Sequence, residues 1–173
     1  MKTVVIVLGI MVFLALAGCR FRGQSISVAV DPAGAERNIA TVRISGRSMV
    51  SASVPRSVLP RQSDGIDRVW DLAVLFSRTG KMGATIEHIA LRYMDPRGKV
   101  WSPTDEIGPL EIAVPPAGNV AFHYSASIMD DGGGWLVVSF SGQDAKGVTF
   151  QGFVSTQLLE GIGKATEEKK RVR

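Results

Sequence analysis

Two histidines, His88 and His123, are the chain's obvious candidates for acid–base or metal chemistry. Apolar and polar residues alternate around both, which predicts that each sits on the outward face of a β-strand. A zinc site needs three or four converging ligands. Two separated histidines and a single cysteine do not supply them, so no metal is expected. A serine nucleophile has no Gly-x-Ser-x-Gly elbow to sit on, and Ser45-Gly46 and Ser141-Gly142 read as turn residues. The carboxylate pairs Asp105-Glu106 and Asp130-Asp131 are adjacent in sequence. Neighbours on a strand point to opposite faces, so neither pair makes an acid/base couple there. In loops they offer oxygen atoms that could hold Ca²⁺ weakly, but the EF-hand pattern is absent and solvation is the simpler role. Gly132-Gly133-Gly134 lacks the Lys-Ser/Thr and the helix start of a phosphate cradle. These residues predict no catalytic group, no cofactor and no enzyme activity.

Cys19 is the chain's one cysteine, and its setting is distinctive. Lys2 gives a positive start, and residues 4–17 form an apolar run of 14. A comfortable membrane span needs roughly 20 residues, so the run reads as the core of an export signal. The closing residues Leu16-Ala17-Gly18-Cys19 resemble the bacterial lipobox. That resemblance covers the first 19 residues. It implies that Leu16, Ala17 and Gly18 are read by a signal peptidase and that the Cys19 sulfur becomes a lipid-bearing thioether. It also accounts for a single cysteine in an exported chain, because no stray thiol remains. Several acyl chains would follow, and stable anchoring takes more than one. Arg20 follows the cysteine where an Asp would favour inner-membrane retention, so the resemblance favours the outer membrane if the host has one. The expected divisions are a lipoprotein signal peptide at 1–18, a lipidated tether at 19–24, a β domain at 25–163 and a charged tail at 164–173.

Charge is unevenly spread. Residues 20–62 carry seven Arg against Asp31 and Glu36, a balance of +5. Residues 63–163 carry seven basic and twelve acidic residues, a balance of −5. Residues 164–173 return to +3. An acidic body with no basic run interleaved with aromatics argues against nucleic acid as a partner. The anchor-proximal basic segment could lie near anionic lipid, where each Lys or Arg contributes about 1 kcal/mol. Its arginines are nevertheless spread over the whole segment.

Strands are predicted where alternation is strict. Ile26, Val28 and Val30 suggest a half-buried first strand, broken by Asp31-Pro32-Ala33-Gly34. A second covers 40–45. Residues 46–66 are ambiguous, with a possible strand at 49–54 and a loop suggested by Pro55 and Pro60. Trp70, Leu72, Val74 and Phe76 share one face; Ile89, Leu91 and Tyr93 form the next inward set. Asp95-Pro96-Arg97-Gly98 is a turn, because Pro presets φ and Gly permits φ > 0. Val100 and Trp101 begin a return strand. Leu110, Ile112 and Val114 follow, then a long stripe of Val120, Phe122, Tyr124, Ala126 and Ile128. Leu136, Val138 and Phe140 pair through residues 143–147 with Val148, Phe150 and Val154.

Eight to ten short strands with turns at this spacing predict an all-β fold, an antiparallel two-sheet sandwich. Strand count and hairpin rhythm over residues 25–157 resemble immunoglobulin-like and fibronectin-III-like domains. The expected function is a lipid-anchored envelope module that binds another protein without catalysis. Contact would come through end loops (79–83, 95–98, 130–134) or an exposed edge strand. Trp101, Asp130, Asp131 and Gly132 are the expected contact residues. The alternative is a small-ligand or carbohydrate binder using a groove of the sandwich.

Overall fold

The computed structural model describes residues 24–61, 68–100, 105–128 and 133–159. Eleven strands, and no helix, run through these residues: β1 (Gln24–Val30), β2 (Glu36–Ser45), β3 (Ser48–Pro55), β4 (Ser57–Val58), β5 (Arg68–Thr79), β6 (Ala84–Met94), β7 (Asp105–Ile107), β8 (Ile112–Val114), β9 (Asn119–Ile128), β10 (Gly134–Asp144) and β11 (Thr149–Leu158). They form two sheets. One has the order β1-β2-β3-β5-β9; the other is β4-β11-β10-β6-β7, with β8 also on β6. All pairings are antiparallel except the short β4–β11 contact.

The alternating pattern sends one face of each sheet inward. Val50, Ala52 and Val54 of β3 and Trp70, Leu72, Val74 and Phe76 of β5 are buried from one side; Leu136, Val138 and Phe140 of β10 and Phe150 and Val154 of β11 meet them from the other. Phe76 and Phe140 join the sheets edge to face, with centroids 5.5 Å apart at 67°. Each such side chain contributes about 1.5–3 kcal/mol when fully buried. Val120, Phe122 and Tyr124 pack half-buried at the rim.

Three turns are built the same way. Asp31 Oδ1 accepts from the Ala33 and Ala35 N–H groups, both at 2.9 Å. Asp95 Oδ1 does so from Arg97 at 2.9 Å and Lys99 at 2.8 Å. Asp144 Oδ1 does so from Lys146 at 2.9 Å and Val148 at 3.0 Å. In each, the glycine three residues on has positive φ: Gly34 at 84°, Gly98 at 82° and Gly147 at 76°. An aspartate that holds its own downstream N–H groups, followed by a residue free to turn left-handed, closes the loop locally.

Several expectations need correction. The ambiguous stretch contains a full core strand, β3, because Pro55 falls at its last residue and removes no ladder bond inside it. Ile26, Val28 and Val30 are not half-buried: they are 62%, 57% and 66% exposed. They point to the inner side of their sheet, as their pairing with Ala40, Asn38 and Glu36 requires, but β1 overhangs the facing sheet. Ser141-Gly142 is not a turn; it lies within β10 at a register shift. A Cβ on Gly142 would stand 1.9 Å from the Thr85 carbonyl oxygen, so the glycine permits a close strand approach. In the facing β6, Glu87 is passed over in the pairing, which lets Ile86 and Ile89 both point inward. Of the two settings weighed for Asp105-Glu106, strand and loop, the structure shows the strand, β7. Leu110 lies outside β8, and Val148 precedes β11 and is 39% exposed.

Candidate functional site

The residues singled out for lipidation and recognition, Cys19 with Leu16, Ala17 and Gly18, lie outside the described residues. So do the expected contacts Trp101, Asp130, Asp131 and Gly132. Of the loop segments, 79–83 joins β5 to β6 at the end where Gln24 enters, whereas 95–98 lies at the opposite end. They cannot form one contact surface. The histidines are also separated: His88 is exposed on the outer face of one sheet and His123 on the outer face of the other. Among the described residues, no three His, Cys, Asp or Glu side chains converge to hold a metal.

His123 does share a shallow depression of about 290 Å³ with Asp71, Leu72, Ala73, Tyr124 and Ser125. The Ser125 hydroxyl donates to Asp71 Oδ1 at 2.6 Å. Arg61 Nε lies 3.8 Å from the other carboxylate oxygen. The serine's hydrogen bond therefore goes to a carboxylate already facing a cation, not to the imidazole. The flanking backbone is tied into the β5–β9 ladder, which runs unbroken through Asp71–Ser125 and Ala73–His123. The cluster decorates a sheet face, and among the described residues its serine is hydrogen-bonded to Asp71.

A second polar group is buried. Arg78, at the end of β5, sends Nη2 to 3.6 Å from Asp144 Oδ2 and donates from the same nitrogen to Ser48 Oγ at 2.9 Å. The two charged side chains are 1% and 3% exposed. Nε and Nη1 of Arg78 have no hydrogen-bond partner among the described residues. The Asp144 carboxyl is held below its ordinary range, first by the Val148 N–H. Burial pushes the other way, while the Lys146 N–H and the Arg78 and Lys146 charges add to the lowering. The pair links strands of opposite sheets, so its role is to clasp the sandwich. The sequence hid it: Arg78 directly precedes the segment 79–83, and no neighbouring residue marks it as buried.

The two sheet edges beside each other are treated differently. On β11, the Gln24 amide donates to the Phe153 carbonyl at 2.8 Å and accepts from the Phe153 N–H at 3.3 Å. Asn38 Nδ2 donates to the Ser155 carbonyl at 2.7 Å. Farther along, β4 pairs with Gln157 and Leu158. Side-chain amides and a strand fragment thus blunt this edge. On β1, Ser25 to Val30 are exposed, and the strand contains no charge, proline or bulge. Such features are what natural edges use to discourage pairing.

No protein-family model and no curated protein matches this chain. The class defined by its geometry is a mostly antiparallel two-sheet β-sandwich, and solved structures share it. One is a Northeast Structural Genomics Consortium target, SoR45, with a TM-score of 0.52 and 12% identity over 68% of this chain and 90% of that one. Another is a Bordetella pertussis protein provisionally assigned as ApaA, with a TM-score of 0.51 and 15% identity over 67% of this chain and 95% of that one. At these identities the likeness concerns fold alone.

Proposed function

We propose that this protein is a lipid-anchored, non-enzymatic module of the bacterial cell envelope, with an immunoglobulin-like sandwich, that binds another envelope protein by accepting a strand on β1. The lipobox-like Leu16-Ala17-Gly18-Cys19 supports the anchor. One observation carries the binding mode: among the described residues no strand pairs the outer edge of β1, and its inner side displays Ile26, Val28 and Val30. An added strand would gain main-chain hydrogen bonds from the edge, and the apolar row would select its side chains. Arg20 supports placement at the outer membrane if the host has one.

A photo-crosslinking residue placed at Ser27 in the full chain, expressed in a bacterial host, tests the binding reading. The expected product is a discrete adduct with one envelope protein, lost in the V28P variant. An adduct of twice the chain's mass would replace the partner with a second copy. Absence of any adduct at Ser27, with small-molecule stabilisation in a thermal screen of sugars and lipids, would favour a ligand binder. Mass spectrometry of the N-terminal peptide tests the anchor separately: acylated Cys19 is expected.

A further inference from the structure

Resting on the lipid-anchor reading, we infer that the end of the sandwich where the chain enters at Gln24 lies flat against the bilayer and meets anionic phospholipid headgroups with Arg47, Lys81 and Lys146. The strand register places four connections at this end: residues 46–47, 80–83, 115–118 and 145–148. Gln24 pairs with Val42 beside them. Arg47, Lys81 and Lys146 are the charged residues of these four connections, and all three are exposed. Nearby Arg43 is exposed as well. The acidic residue that leads into the last connection, Asp144, is turned inward onto Arg78 and buried. The clasp therefore withdraws a negative charge from the face that the cations occupy. The opposite end is mixed in sign: it carries Asp31 and Asp95 in its turns, the exposed Glu36–Arg56 pair, and Arg97 and Lys99.

The tether sets the distance. Residues 20–23 separate Cys19 from Gln24, and two of these four are Arg. Five steps of extended chain reach at most about 18 Å. Electrostatic attraction to headgroups extends about 8 Å at physiological ionic strength. A module on so short a tether samples that layer constantly, and ammonium and guanidinium groups there donate to lipid phosphate. The three cations come from positions 47, 81 and 146, so they form a patch only in the folded chain.

The test is surface labelling of the acylated full chain in vesicles of phosphatidylcholine alone or with phosphatidylglycerol. A membrane-impermeant amine reagent modifies lysines, and mass spectrometry compares Lys81 and Lys146 with Lys99 at the far end. Labelling of Lys81 and Lys146 relative to Lys99 is expected to fall at least three-fold in the anionic vesicles. High salt should restore it, and the R47Q variant should weaken the protection. Equal labelling in both vesicle types, on a chain whose Cys19 is acylated, overturns this orientation and leaves the anchor intact. An unacylated Cys19 removes the anchor and the orientation together.

Discussion

Asp31 and Asp144 close the same turn in opposite surroundings. Each aspartate accepts from two downstream N–H groups, and each turn ends on a left-handed glycine. Asp31 does this in an exposed loop, whereas Asp144 does it while buried beside Arg78. The comparison separates what a turn supplies locally from what its place in the fold adds. Locally the carboxylate is only an acceptor, and an amide oxygen would serve. Inside the sandwich, its charge is the counterpart of a guanidinium with little other company.

The largest expected effect is that of Asp144→Ala, which removes both turn acceptors and strands the Arg78 cation. Its urea midpoint should fall further than that of Arg78→Ala, which comes next. Deleting one partner leaves the other charge without its counterpart in the interior, and chemical denaturation of the variant reads the loss. Asp144→Asn sharpens the comparison, since it keeps the turn acceptor and loses the charge. It should still destabilise clearly, whereas Asp31→Asn should stay within about 0.5 kcal/mol of wild type. Equal effects of the two Asn substitutions would falsify the division between turn and clasp. Asp31→Ala should cost about 1 kcal/mol, the usual scale for a lost side-chain acceptor at backbone N–H groups. The exposed Glu36–Arg56 pair sits at the small end: Glu36→Gln should change stability by less than about 1 kcal/mol.

Acid offers an independent measure. The Asp144 carboxyl titrates lower in the fold than in the unfolded chain, where its value is about 3.9. The folded state therefore binds fewer protons, and the contribution is fully present above that unfolded value. It fades as pH falls through the lowered folded value. Wild type and D144N should thus differ most near neutrality and converge at the acid end of a denaturation series, measured by Trp fluorescence.

Much of the fold was legible because period-two alternation and turn chemistry agree. Trp70 to Phe76 and Leu136 to Phe140 read as inward rows and are buried as such. Asp95-Pro96-Arg97-Gly98 reads as a turn and is one, and Asp31-Pro32-Ala33-Gly34, read as the break after the first strand, is a turn too. Alternation failed where it could not report neighbours. Ile26, Val28 and Val30 alternate correctly, yet among the described residues no facing strand covers them. Glu87 resets the phase of β6 without leaving a mark in composition. The +5 segment at 20–62 does not remain a unit: Arg56 pairs with Glu36, Arg61 faces Asp71, and Arg37 donates to Ser53. Arg78 was invisible as a core residue because its partner is 66 positions away. Charge and burial at these positions are properties of the pairing across sheets.

Gln24 has a mechanical consequence. Tension applied through residues before it would draw β1 lengthwise past β2, loading the seven paired positions together instead of peeling them one by one. The Gln24 amide passes part of that load to Phe153 on the other sheet. A chain pulled from this side should resist as a sheared ladder does, and pulling Gln24→Ala in a single-molecule trap should lower the rupture force.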